Sequence, residues 1–304
     1  MKCTIGIDLG SNSLGIVKFD CENKEVVDSL SYVVRTASSL ADKKIIDDGA
    51  IKRVIDALLD AKRKISFEGC QVNAVTTEAM RSATNANEAL FKIKKATGIE
   101  FKVISPQDEA KLTLDAVKNR LQIIGINRDF VLLDIGGGST EISFYIGGKI
   151  YTKSFKIGIV TIVSEVKDTN RLEDVILEKV KPIKDFINKY NNDNLVFVST
   201  AGTPSTVAAL KHGLNYETYD AKVVNGTTLT IKELDLYLNK LLNMSIKERQ
   251  IAVGVGREDL IIAGILIFKA IFNILNKKET IVVDDSLREG VALKACLDIK
   301  NQMT

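Results

Sequence analysis

The chain has 304 residues, 45% hydrophobic and 27% charged, the make-up of a soluble globular protein long enough for two domains. Its 42 basic and 39 acidic residues leave a net charge of +3, too small to argue for a nucleic-acid partner. The longest apolar run, Leu260 to Phe268, is too short to span a bilayer, and the first residues carry no signal-peptide pattern, so a cytoplasmic protein with no membrane partner is expected. Four cysteines, Cys3, Cys21, Cys70 and Cys296, are widely spread with no CxxC pair. They indicate neither a zinc site nor a disulfide framework, and read as buried thiols in a reducing compartment.

Residues 3–9, 13–20 and 25–35 read as three strands joined by short turns. Ile51, Val54, Ile55, Leu58 and Leu59 recur at helical spacing and predict a helix over 48–65. A short strand over 71–76 runs into TTEAMRSATN, where Arg81 offers planar guanidinium donors suited to phosphate, or is a solvated arginine on a helix. Residues 86–97 read as a helix stopped by Gly98, and 101–104 as a strand. Ser105-Pro106 is then a good helix start, with Ser as cap and Pro in the first turn. Asp108 and Glu109 fall in that turn, where the helix dipole favours acids; Glu109 is alternatively a general base. The helix runs to about Arg120, and residues 121–130 mark a domain boundary.

VLLDIGGGSTE, residues 131–141, is the central stretch: a buried strand, Asp134, a triple glycine, then Ser139, Thr140 and Glu141. Glycines without Cβ atoms let an anion approach backbone N–H groups closely. Shifted back along the chain, DIGGGS aligns with Asp8-Leu9-Gly10-Ser11-Asn12-Ser13. Two strand–turn–strand copies suggest a duplicated architecture with two phosphate-gripping turns. Two carboxylates with bridging Mg²⁺ suit a polyanionic phosphate chain.

Beyond Glu141, residues 142–146 and 149–155 read as strands around a Gly147-Gly148 turn. Residues 158–167 and 171–190 read as helices and 195–199 as a strand. That strand enters TAGTPSTVAAL, residues 200–210, which is either a nucleotide-holding junction with Pro204 at a helix start or an ordinary tight loop. Residues 230–241, 245–250 and 257–275 read as helices, 280–283 as the last strand, and 284–290 as the opening of a helix ending near Leu297. His212, the single histidine, reads as a surface or capping residue.

The turns at Asp8 and Asp134 and the order of elements resemble the actin/Hsp70/sugar-kinase superfamily. The detail is similar to the exopolyphosphatase and guanosine pentaphosphate phosphohydrolase (Ppx/GppA) family. The matching stretches are IDLGSNS at 7–13, TTEAMRSATN at 76–85, DEA at 108–110, LLDIGGGSTE at 132–141, AGTPSTVAAL at 201–210, GREDLIIAG at 256–264 and LREG at 287–290. The resemblance implies an α/β fold of two actin-like (ribonuclease H-like) domains with an interdomain cleft. The first would span 1–122, completed by a C-terminal helix near 286–304, and the second 123–285. It implies Mg²⁺-dependent removal of terminal phosphate from inorganic polyphosphate, guanosine pentaphosphate, or both. Guanosine tetraphosphate would be a further ligand, and a homodimer is left open.

By motif position, Glu109 looks like the catalytic acid that orients or deprotonates water. Arg81 would neutralise phosphate charge, and Glu141 would join the catalytic acids. Asp8, Asp134 and Glu141 would hold the metal. Ser11, Asn12, Ser13, Gly136, Gly137, Gly138, Ser139 and Thr140 would contact phosphate. The chain departs from the family at Leu14-Gly15-Ile16, where an Arg often follows GSNS, and at Arg35-Thr36-Ala37-Ser38-Ser39, where an RLGEG-like segment is usual. It departs again around Pro106-Gln107 and at Ser286, both usual glycine positions. Longer members carry a C-terminal helical extension that binds long polyphosphate and aids dimerisation. An ATP-dependent small-molecule kinase and a non-catalytic guanosine tetra- or pentaphosphate sensor are the rival readings.

Overall fold

The computed structural model describes residues 3–166 and 171–303, with side chains to residue 299. The chain forms two compact units: residues 1–116 with 285–304, and residues 117–284. The division falls inside the helix Pro106–Ile123, whereas the sequence placed it at 122/123.

The first unit holds a five-stranded sheet in the order β3-β2-β1-β4-β5. Its strands are β1 (Cys3–Leu9), β2 (Ser13–Asp20), β3 (Glu25–Val33), β4 (Cys70–Thr76) and β5 (Phe101–Val103). β1, β2 and β3 form an antiparallel meander, and β4 and β5 add in parallel. One face packs on the helices Asp48–Lys64 and Ala86–Thr97, through Ile5, Ile7, Leu14, Ile16, Val54, Leu58 and Ile93. The first helix starts at Asp47, whose carboxylate accepts from the Ala50 N–H at 2.9 Å. The second stops at Gly98, whose φ of 72° is the left-handed value glycine tolerates. The C-terminal helix Leu287–Met303 packs against Val17 and Phe19 through Ala292 and Leu293.

The second unit holds a six-stranded sheet in the order β10-β11-β9-β6-β7-β8. Its strands are β6 (Phe130–Ile135), β7 (Thr140–Ile146), β8 (Lys149–Phe155), β9 (Val196–Thr200), β10 (Thr228–Leu229) and β11 (Thr280–Val282). Read from the meander, β8-β7-β6-β9-β11 repeats β3-β2-β1-β4-β5, with β10 added at the edge. Asp8 pairs with Gly15 and Asp134 with Glu141, so the two hairpins share one register. The duplicated α/β, actin-like architecture expected from the sequence is present. The apolar helix Leu260–Leu275 supplies much of this unit's core, through Ile265, Phe268, Ile271 and Phe272.

Three readings are corrected. The cysteines are not free thiols: Cys3–Cys70 and Cys21–Cys296 are disulfides with Cα atoms 4.8 and 5.2 Å apart. Cys3 faces Cys70 across the parallel β1–β4 pair, a register that linear spacing does not display. The helix expected over 171–190 is two helices, Leu172–Lys179 and Lys181–Ile187, because Pro182 has no N–H to offer the Glu178 carbonyl. The final helix runs past Leu297 to Met303. The helix expected over 158–167 spans Ile159–Glu165, and Lys167 lies outside the described residues. Among the described residues no helix is long and apolar enough to cross a membrane.

Candidate functional site

In the first unit the parallel strands β1, β4 and β5 end level. Leu9 lies opposite Thr76, and Thr76 opposite Val103. The Thr76 hydroxyl donates to the Leu9 carbonyl at 2.8 Å, and the Ile104 N–H to the Thr76 carbonyl at 3.1 Å. Asp8, Arg81 and Glu109 stand at or just beyond these ends. The carboxyl edge of parallel strands is where open α/β sheets bind ligands.

Arg81 and Glu109 meet there. Nη1 of Arg81 donates to Glu109 Oε2 at 2.9 Å and to the Ile104 carbonyl at 2.7 Å. Its Nε and Nη2 donate to Glu78 Oε2 at 3.3 and 3.2 Å. The three side chains are 14–19% exposed. Asp108, next along the chain, instead takes the Ser105 hydroxyl at 2.8 Å, and its N–H donates back to that hydroxyl at 3.1 Å. Helix capping therefore explains Asp108 and leaves Glu109 unexplained. Burial pushes the Glu109 carboxyl above its ordinary value; the charge and hydrogen bond of Arg81 oppose the rise, and the charge of Glu78 adds to it. Arg81, expected as a phosphate ligand, is here the counter-ion of two carboxylates. Four of its five N–H donors are committed, which leaves one for a phosphate oxygen.

The glycine turns are built alike. The Gly10 N–H donates to the Ser13 carbonyl, and the Gly136 N–H to the Ser139 carbonyl, each at 2.9 Å. In the first turn the Ser11 carbonyl accepts from Ala37, and the Asn12 carbonyl from Val34 and Arg35. In the second, the Gly136 and Gly137 carbonyls accept from Ile159 and Val160, at the start of the helix Ile159–Glu165. A planar trans peptide sends its N–H opposite to its C=O. The N–H groups of Asn12, Gly137 and Gly138 therefore point away from these supports, as an anion-gripping turn requires. Gly158 makes the second arrangement possible, since a Cβ there would lie 2.3 Å from the Gly137 oxygen.

Asp134 and Glu141 are cross-strand partners, so their side chains lie on one face of the sheet. Ser154 Oγ donates to Glu141 Oε1 at 2.5 Å. Two neighbouring carboxylates fit Mg²⁺, which takes one or two carboxylates and completes its shell with phosphate oxygens and water. Asp8 faces Gly15 across its own hairpin. No group of three His, Cys, Asp or Glu suited to a metal occurs among the described residues. Ser11 and Ser139 are buried at 6% and 5% exposure, within their turns. Asn12 and Ser13 complete the first turn. Thr140 departs from expectation: it is fully buried and its hydroxyl donates to the Ile157 carbonyl, so it braces the turn from inside.

At the 200–210 junction the helix is Gly202–Lys211, so Pro204 sits at its third residue. Ala201 takes φ +73° and ψ −173°, a conformation natural to glycine. The Thr203 hydroxyl packs against Gly264, where a Cβ would come within 2.2 Å. The first turn is thus buried in helix packing, which favours the tight-loop reading. His212 caps this helix and bonds Thr227 Oγ1 at 2.9 Å.

Sequence reasoning missed Glu78 and Gly158. The spacing of Glu78 to Arg81 on one helix was a visible signal. Nothing local marks Gly158, because its neighbours lie in a turn distant along the chain.

The Ppx/GppA phosphatase family model matches residues 16–298. The chain is 28% identical over 315 residues to a bifunctional 3-dehydroquinate synthase/phosphatase of Fusobacterium nucleatum. That match covers 95% of this chain and 46% of the relative, so the chain spans about half that protein's length. It is 26% identical over 302 residues to a candidate exopolyphosphatase of Haemophilus influenzae, covering 94% of this chain and 88% of that one. The crystal structure of the Aquifex aeolicus Ppx/GppA family member is similar at 27% identity and a TM-score of 0.75, covering 99% of both chains. An exopolyphosphatase structure from Cytophaga hutchinsonii shares the fold at 23% identity and a TM-score of 0.83, covering 97% of this chain and 98% of that one. With paired glycine turns of one register and a family match over all but its ends, the chain belongs to the Ppx/GppA phosphatase family.

Proposed function

We propose that the chain hydrolyses the terminal phosphoanhydride bond of inorganic polyphosphate or guanosine pentaphosphate. The observation that carries this reading is Glu109: buried, raised in proton affinity, and held by Arg81 through one oxygen. The other oxygen, Oε1, accepts no hydrogen bond from the described residues and is free to accept one from water. Water attacks the terminal phosphorus, the bond from phosphorus to the bridging oxygen breaks, and the shortened phosphate leaves with that electron pair. The proton of water passes to Glu109 and then to solvent. The outward N–H groups of the glycine turns hold phosphate oxygens in place. Mg²⁺, held by Asp134 and Glu141 in the second unit, would neutralise phosphate charge, and Asp8 is the corresponding carboxylate of the first turn. The turns and Glu109 favour this reading over a small-molecule kinase.

The test is phosphate release from long-chain polyphosphate and from guanosine pentaphosphate in parallel, with Mg²⁺ and then with a chelator. Glu109→Gln is expected to keep the fold and lose roughly 10²–10⁴-fold in rate. The ratio of wild-type rates names the substrate. Near-full activity in Glu109→Gln removes its role as base. No release, with tight guanosine tetraphosphate binding, selects the sensor.

A further inference from the structure

Arg81 is shared. Its four committed donors fix its plane: two go to Glu78, one to Glu109 and one to the Ile104 carbonyl. Glu78 is itself anchored, since the Ser82 hydroxyl donates to its Oε1 at 2.7 Å. Two carboxylates on one guanidinium leave a net negative charge in a poorly solvated place, where charges act strongly. The charged groups facing Glu109 are Arg81 and Glu78, both on the helix Glu78–Ser82. Asp108, on Glu109's own helix, is turned to Ser105.

We propose that Glu78 is a positioning residue: by dividing the Arg81 guanidinium with Glu109, it sets the orientation and basicity of Glu109. Without the Glu78 charge, Arg81 serves Glu109 alone and holds its proton affinity down. A base of lower proton affinity accepts the proton of water less well. Glu78 touches neither water nor phosphate in this scheme, so substrate affinity is unaffected. This inference rests on the hydrolase reading above; it names the residue that tunes that reading's base.

The experiment compares wild type, Glu78→Gln, Glu78→Asp and Glu109→Gln. Phosphate release is measured as kcat and KM across pH, and the Glu109 carboxyl is titrated by carbon NMR on protein with labelled glutamate. The Glu109 resonance is identified by its absence in Glu109→Gln. In Glu78→Gln, kcat is expected to fall several-fold, short of the Glu109→Gln loss, with KM unchanged. Removing a neighbouring negative charge lowers the Glu109 pKa, so the acid limb and the NMR titration both move to lower pH, by about half a unit or more. Glu78→Asp keeps the charge and is expected to titrate as wild type.

An unmoved NMR titration in Glu78→Gln overturns the proposal, whatever the activity. So does an equal kcat loss in Glu78→Gln and Glu78→Asp with no movement of the acid limb, which is the signature of packing alone. Activity surviving in Glu109→Gln overturns the hydrolase reading instead, while the NMR titration still decides whether Glu78 acts on Glu109.

Discussion

Asp47 and Glu109 belong to the same unit, and their surroundings move their proton affinities apart. Burial works against ionised Asp47, but the Ala50 N–H, the Ser39 and Ser38 hydroxyls and the charge of Arg53 outweigh it and hold the carboxyl at about 2. A carboxyl whose pKa is lower folded than unfolded stabilises the fold above the unfolded value, and the gain disappears as pH falls through the folded value. Asp47→Ala is therefore expected to cost about 1 kcal/mol near neutral pH, the worth of an N-cap, with the difference fading between about pH 4 and pH 2. Denaturant unfolding of both proteins at a series of pH values reads this directly. Glu109 moves the other way, because its burial outweighs Arg81. In the proposed role its ionised form is the active one, and it is lost as pH falls through a value raised above that of a solvated glutamate. The acid limb of activity is expected there, and a limb at the pKa of a solvated glutamate contradicts the assignment.

At the scale of elements, the LREG string shows how a motif can be read as packing. Gly290 lies on the C-terminal helix against the helix Pro106–Ile123, and a Cβ on it would meet the Leu112 carbonyl at 2.1 Å. Gly6 on β1 likewise admits the Arg288 carbonyl, and Gly15 admits the Arg288 side chain. Backbone atoms cannot rotate away as a side chain can. Gly290→Ala is therefore expected to cost about 1–3 kcal/mol in stability, seen as a lowered unfolding midpoint. Because Leu112 lies about one turn along the same helix from Glu109, phosphate release should fall with it. The same helix begins with Ser286, whose N–H donates to Glu289 Oε2 at 2.8 Å. Ser286, a departure from the usual glycine, thus serves as a helix cap.

At the scale of the whole molecule, the first unit is discontinuous: its last helix returns after the second unit has been made. Cys21–Cys296 ties that helix to the end of β2 across a sequence separation of 275. Closing so long a loop in the unfolded chain removes much of its conformational freedom. Reduction, or Cys296→Ser, is expected to lower stability by about 2–4 kcal/mol, and hydrogen exchange should rise first in the helix Leu287–Met303. Unchanged protection there contradicts a clasping role. The sequence by itself determined most of the elements, the paired hairpins at Asp8 and Asp134, and the candidate residues. Apolar period, caps and glycine turns act over a few residues, so they can be read in order along the chain. Only the tertiary structure decided which cysteines pair, that Arg81 is divided between Glu78 and Glu109, that Thr140 turns inward, and that Gly158 admits the second turn. Apart from the local Glu78–Arg81 spacing, each of these depends on strand register or on the approach of segments distant in sequence. Those distances are set when the sheets and helices pack, and no local pattern carries them.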